Sequence, residues 1–230
     1  MVPTVSVIIP AHNEERYIAK TLHSLKQQKF QNFEVIVVTN GCSDTTEEIV
    51  RKRVDEKVKS VSLPRANVCL ARNVGAMNAR GSVLMFLDAD TQLKEDTLQI
   101  VAREFENGIS VATTKVLPDN SSFKFRSAMA LKNFYNRTGL YQGCSGALIC
   151  KKLDFDEVGG YDPNVVVREH RKLTLKLKEK GQYKCLNTHV ITSMRRFENW
   201  GLARGASYWA RQWFNDHFRT LEGEEYEKVR

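Results

Sequence analysis

The stretch Thr4-Val5-Ser6-Val7-Ile8-Ile9-Pro10-Ala11-His12-Asn13-Glu14-Glu15 decides the fold. A β-branched run stopped by a proline reads as a buried strand. The polar cluster behind it leads into residues 14–28, where Ile18, Leu22 and Leu25 fall at helical spacing. The same sentence is then repeated. Residues 34–38 form a second apolar strand, ended by Asn40-Gly41-Cys42-Ser43-Asp44, a turn that caps a helix over 44–54. A third strand is expected near 58–63 and a helix over 67–79, ending before Gly81. Ser82 to Leu87 is a fourth strand, ending at Asp88-Ala89-Asp90. Such alternation predicts an α/β fold with a mostly parallel central sheet flanked by helices. In sheets of this kind ligands bind beyond the carboxyl ends of the strands. Three of those ends, 10–14, 39–44 and 88–90, carry polar or turn residues.

Downstream the pattern is more mixed. A helix is expected over 95–106, a strand over 109–116, and an amphipathic helix over 123–137 with Phe123, Phe125, Leu131 and Phe134. Residues 139–150 read as small and strand-like, and 159–163 as a turn. A very basic helix follows over 168–180, then a short strand over 182–187 and a polar loop through Arg195-Arg196. Residues 201–220 are expected to form a last helix carrying Tyr208, Trp209, Trp213, Phe214 and Phe218. No repeat or low-complexity tract interrupts the 230 residues, which are expected to form a single domain.

Composition excludes several classes. With 42% apolar and 27% charged residues the chain is neither a disordered tail nor a fibre. No run approaches 18 apolar residues, and the N-terminus lacks a basic leader and cleavage site, so neither a membrane span nor a signal peptide is expected. Five dispersed cysteines without a CxxC pair suit a reducing, cytoplasmic setting. The net charge of +8 is uneven: residues 1–115 hold 15 Lys/Arg against 14 Asp/Glu, and residues 116–230 hold 20 against 13. The second half is therefore expected to face something anionic, such as phosphates or a membrane surface.

Asp88-Ala89-Asp90 is the first candidate for chemistry. Hard divalent cations prefer carboxylate oxygen, and Mg²⁺ takes one or two carboxylates plus substrate phosphates. The pair suits a metal-bridged diphosphate; read blandly, it is a solvated turn capping the helix that begins at 91–95.

The blocks around it carry a resemblance. Val5 to Glu15, Val35 to Thr46, Ala71-Arg72-Asn73-Val74-Gly75, Ala79-Arg80-Gly81 and Phe86 to Asp90 resemble, in order and spacing, family 2 glycosyltransferases of the GT-A fold. Gly146-Ala147, Val158-Gly159-Gly160-Tyr161 and the helix near Glu169 resemble that family's acceptor side. The resemblance implies a nucleotide-sugar-dependent transferase, mostly inverting in family members of this layout. It places Pro10, Ala11 and Glu14 at the base and ribose, with Asn40 beside them. The family often has Asp-Asp where Thr39-Asn40 stands, which leaves the base open. It places Arg72 at the nucleotide or its phosphates and Asp88, Ala89 and Asp90 at the donor, with Asp90 and Asp88 holding Mn²⁺ or Mg²⁺. Arg195, in Ser193-Met194-Arg195-Arg196, would clamp the diphosphate. The catalytic base falls at Glu169 or His170, where the family has Glu-Asp, with Asp162 as a third possibility if the register slips.

The resemblance thus implies transfer of one sugar from a UDP- or GDP-linked donor to a glycan or lipid-phosphate acceptor. The aromatic and basic residues of 200–219 read either as core or as a peripheral contact with the inner face of a membrane, and the acids at 222–227 weigh against strong anionic binding. A processive Gln-x-x-Arg-Trp motif is absent, as are a glycine-rich phosphate loop and a nucleic-acid recognition motif. The non-enzyme alternative is a relative that binds a nucleotide sugar or glycan without turnover, with His170 as its main support.

Overall fold

A computed structural model describes residues 2–138, 144, 146–165, 168–201, 204 and 207. The chain begins with β1 (Val5–Ala11), α1 (Ile18–Lys26), β2 (Phe33–Asn40), α2 (Thr46–Arg51), β3 (Val58–Leu63), α3 (Val68–Met77) and β4 (Val83–Leu87). It continues with β5 (Thr91–Leu93), α4 (Thr97–Glu106), β6 (Ile109–Pro118), α5 (Phe123–Arg137), β7 (Ala147–Lys151), α6 (Lys152–Glu157), α7 (Glu169–Lys178), β8 (Gln182–Thr192) and α8 (Arg195–Trp200). One sheet has the order β3-β2-β1-β4-β7-β6-β8-β5. The first four strands are parallel, as the alternation predicts. β7 runs antiparallel between β4 and β6, β8 is parallel to β6, and β5 is antiparallel to β8.

β1, β2 and β4 are buried along their whole length, which explains their unbroken apolar runs. One core lies on each face of the sheet. Helix α3 presses closely on β1: a Cβ at Gly75 would sit 2.3 Å from Ile8 Cγ2. Asn67 caps this helix by accepting the Leu70 N–H at 2.9 Å.

Five expectations change. The helix expected over 95–106 is found at Thr97–Glu106, but Thr91–Leu93, where the bland reading of the acidic turn began a helix, is a strand paired with Val190–Thr192. The short strand at 182–187 runs to Thr192. The loop at Arg195-Arg196 opens a helix, and α6 follows β7 where no helix was expected. Helix α5 has the expected bounds but is not amphipathic in the ordinary sense: Phe125 and Met129 are buried, whereas Phe123, Leu131 and Phe134 are exposed. The expected last helix, with Trp209, Trp213, Phe214 and Phe218, lies outside the described residues. No helix among the described residues is long and apolar enough to cross a membrane.

The placement of β5 reshapes the sheet. Only Asp88, Ala89 and Asp90 join β4 to β5, yet three strands separate them in the sheet. Four strand spacings laid flat are about 19 Å. Four residue steps reach about 14 Å at full extension. The sheet must therefore curl at this corner, and the curl folds the end of β8 back onto the acidic pair.

Candidate active site

The carboxyl ends of β1, β2, β4, β6 and β8 and the starts of β5 and β7 share one edge of the sheet. Every candidate residue lies along it or on the helix N-termini facing it. At the end of β1, Pro10 and Ala11 are buried, and the Ala11 side chain belongs to the core. What these two offer a ligand is backbone. The Ala11 carbonyl already accepts from Cys42 Sγ at 3.2 Å. Asn40, 3% exposed, spends its side-chain carbonyl on the Asn67 N–H at 2.9 Å, and its backbone carbonyl accepts from His12 Nδ1 at 2.7 Å. Its neighbour Gly41 must be glycine, since its φ is +62° and a Cβ would meet Ala66 N at 2.6 Å.

The acidic pair splits into two environments. Asp88 is exposed, while Asp90 is largely covered, with its side chain 17% exposed. Between them Ala89 is core, and its carbonyl accepts from Thr21 Oγ1 at 2.7 Å. Burial first, and then the charge of Asp88, push the Asp90 carboxyl up to about 7, although Arg195 opposes the rise.

Arg195 is the cation of this corner. Its guanidinium forks onto Glu14, with Nη1 donating to Oε2 at 2.7 Å and Nη2 to Oε1 at 2.6 Å. Nη2 also lies 3.1 Å from Asp90 Oδ2, and the group stacks 4.6 Å from the Tyr17 ring centroid. The β5–β8 pairing makes this possible: Thr91 is paired with Thr192, and their hydroxyls are 3.1 Å apart. Asp90 precedes one and Arg195 follows the other by three residues.

Arg72 joins the two halves of the site. It is 3% exposed, buried between α3 and the elements it bridges. Nη1 donates to Glu169 Oε1 at 2.7 Å and Nη2 to Asp88 Oδ1 at 3.2 Å, while the guanidinium lies 5.2 Å from the Tyr161 ring centroid. Glu169, at the start of α7, is 6% exposed; burial raises its proton affinity and Arg72 works against that. Next to it, Asn73 grips the Tyr161 backbone from both sides, donating to its carbonyl at 2.8 Å and accepting its N–H at 2.9 Å.

His170 Nδ1 is 2.8 Å from the Tyr161 hydroxyl. With the ring proton on Nε2, Nδ1 accepts from the Tyr161 O–H and satisfies that buried hydroxyl. Nε2 lies 4.0 Å from Glu169 Oε1. Burial, and then Arg72, hold His170 well below the usual histidine range, so the ring is neutral. Asp162 is drawn off into contacts with the Asn164 N–H and Lys172. The sequence flagged the Arg72 and Gly160-Tyr161 blocks, but not the roles of Asn73, Tyr161, Tyr17 and Thr91. Asn73 and Tyr161, inside those blocks, offered a local signal; Tyr17 and Thr91 did not.

Among the described residues no group of three or more His, Cys, Asp or Glu could hold a metal ion. Two carboxylates are a donor set that fits Mn²⁺ or Mg²⁺ only when a ligand's phosphates complete the shell.

The comparisons with known proteins bear on family and fold. A sequence profile described as Glycosyl transferase family 2 matches residues 6–150. The putative teichuronic acid biosynthesis glycosyltransferase TuaG of Bacillus subtilis is 35% identical over 100 residues, covering 42% of this chain and 40% of the relative. The crystal structure of S. aureus TarS 1-349 in complex with UDP matches with TM-score 0.65 at 25% identity, over 83% of this chain and 58% of that one. A mannosyltransferase from Pyrobaculum calidifontis, in complex with GDP-Man and Mn²⁺, shares the fold with TM-score 0.71 at 18% identity, over 92% of this chain and 65% of that one. The chain spans only 16% and 40% of the length of the first two curated relatives it matches.

Proposed function

The chain belongs to glycosyltransferase family 2 and has the GT-A fold, and from that premise we propose that it moves a single sugar from a nucleoside-diphosphate sugar to a hydroxyl of a glycan or lipid-linked acceptor. The observation that carries this reading is the Arg72 bridge. It ties Asp88, on the strand-end side where the donor diphosphate belongs, to Glu169, on the helix where the acceptor belongs. UDP or GDP is the favoured carrier, since solved relatives of this fold hold UDP and GDP-Man.

In this reading the acceptor oxygen attacks the anomeric carbon from the face opposite the diphosphate, inverting it. The C–O bond to the β-phosphate breaks, and its electron pair leaves on phosphate oxygen. Asp90 and Asp88 would hold Mn²⁺ or Mg²⁺ together with the donor's phosphates, and the ion would supply Lewis-acid neutralisation of that leaving charge. Arg195 turns from Asp90 to the diphosphate as a second positive group. Glu169 takes the acceptor proton. The proton on His170 Nε2 makes that atom a donor, so His170 orients the acceptor oxygen rather than deprotonating it. Asn40 holds the strand end and the α3 cap in place, leaving its amide NH₂ as the group for a base carbonyl. A catalytic single domain and a setting inside the cell complete the reading, with the +7 half of the chain turned towards an anionic acceptor.

The test is thermal stability with UDP, GDP, CDP and dTDP, with and without Mn²⁺. A ligand that binds only the folded state raises Tm. One nucleotide should stabilise the protein in a metal-dependent way, and Asp90→Ala should abolish that shift while leaving Tm without ligand close to wild type. No shift with any of the four, from a folded sample, would overturn the donor assignment.

A further inference from the structure

Helix α5 carries large apolar side chains on two opposite faces. Phe125 and Met129 pack inward on the sheet. On the other side Phe123, Leu131 and Phe134 are 86%, 70% and 65% exposed. With exposed Ser127 and Ala130 they follow the spacing i, i+4, i+7, i+8 and i+11, which is one continuous strip. Tyr135, 46% exposed, lies at its margin. The charges of the helix are Lys124, Arg126, Lys132 and Arg137, with no Asp or Glu. Lys124 falls to one side of the strip and Arg126 and Arg137 to the other, all three exposed. A helix docked by one face ordinarily turns polar residues to water. This one turns an apolar centre with basic margins.

We propose that this face of α5 docks on the surface of an anionic lipid bilayer. Phe123, Leu131 and Phe134 would enter the boundary between headgroups and acyl chains, and the flanking arginines and lysine would lie at the lipid phosphates. The charge pattern selects this occupant: cations on both margins and no acid match a plane of phosphates. The strip is a single convex helix face, whereas a peptide partner is ordinarily taken into a groove or onto a sheet edge. The docking itself does not depend on what the active site transfers. Lys132, on the opposite side of the same helix, lies near enough to Asp88 for their charges to interact, so the helix borders the site while its apolar strip faces away from it. If the proposed transfer to a lipid-linked acceptor holds, that placement brings the acceptor to the protein.

The experiment is co-sedimentation of the full chain with vesicles of phosphatidylcholine, with and without phosphatidylglycerol. The wild type should bind the anionic vesicles and be partly released by salt. A Phe123→Ser/Leu131→Ser/Phe134→Ser variant should bind them about tenfold more weakly or less. A Lys124→Glu/Arg126→Glu variant should lose the preference for phosphatidylglycerol. Both variants change exposed positions, so Tm and the metal-dependent nucleotide shift should match wild type. Failure of that shift in the wild type would count against the transferase reading and leave the docking result standing. Wild type that ignores anionic vesicles, or variants that bind as wild type does, would overturn the proposal. So would a serine variant whose only change is an altered oligomeric state, pointing to a second copy, or a lowered Tm, pointing to cover by another part of this chain.

Discussion

Asp90 stands between two rival cations. Arg195 Nη2 is 3.1 Å from Asp90 Oδ2, the same carboxylate that a divalent ion would need. Removing the guanidinium should therefore tighten metal binding to the protein alone. Arg195→Ala is expected to raise Mn²⁺ affinity about threefold to tenfold, the worth of one partly exposed ion pair. The same variant should weaken nucleoside-diphosphate binding in the presence of Mn²⁺. Electron paramagnetic resonance of free Mn²⁺ reads the first effect without any activity; unchanged affinity would contradict the rivalry. At α7 the roles of neighbouring residues separate in the same way. Glu169→Gln should lower kcat by about 10²–10⁴, the usual contribution of a general base, while sparing donor binding. His170→Gln should lose less, because a side-chain amide still donates. A His170→Gln variant that is dead beside an active Glu169→Gln would reverse the assignment. His170 also has a signature in stability. Its folded proton affinity is depressed, so its contribution is complete above the unfolded value near 6.5 and is lost as pH falls from there towards the folded value. Melting curves between pH 7.5 and 5 should thus fall less steeply for His170→Gln than for wild type.

At the scale of elements, the sequence read well wherever a segment buries itself through its own pattern. β1 to β4, α3 and α5 appear at or within a few residues of their expected bounds, because unbroken apolar runs and turn residues are local signals. β5 failed for the opposite reason. Thr91-Gln92-Leu93 has no strand pattern of its own, and it is a strand only because Val190–Thr192 lies beside it. Arg195, expected in a loop, opens α8 under similar tertiary control, the preceding Met194 N–H being held by Asp119 at 2.8 Å. The contact of α3 with β1 gives this scale its own prediction. Gly75→Ala drives a Cβ into Ile8 Cγ2 in the middle of a fully buried strand. It should destabilise the protein by about 1–3 kcal/mol, seen in urea unfolding as a lowered midpoint with unchanged slope. It should also weaken nucleotide binding, since α3 carries Arg72. Stability equal to wild type would mean that the helix can move away from the strand at little cost.

Over the whole molecule, the excess of positive charge after residue 115 was visible in the sequence, but its distribution was not. Part of it gathers on α5 around an apolar strip, whereas Arg195 turns inward and is consumed by Glu14 and Asp90. The sequence by itself determined the parallel first half of the sheet, the edge where polar residues collect, and the acidic pair at 88–90. These follow from hydrophobic periodicity and turn chemistry, which act over a few residues. Only the tertiary structure decided that Arg72 reaches Glu169 across 97 residues, that Arg195 reaches Glu14 across 181, and that burial beside Arg72 leaves His170 neutral. The Arg195 contacts depend on the curl that a three-residue link between β4 and β5 forces on the sheet, and the Arg72 and His170 contacts on the packing of α3 against the start of α7. Charge pairing and proton affinity are set by the surroundings of a side chain, and no local pattern in the chain records them.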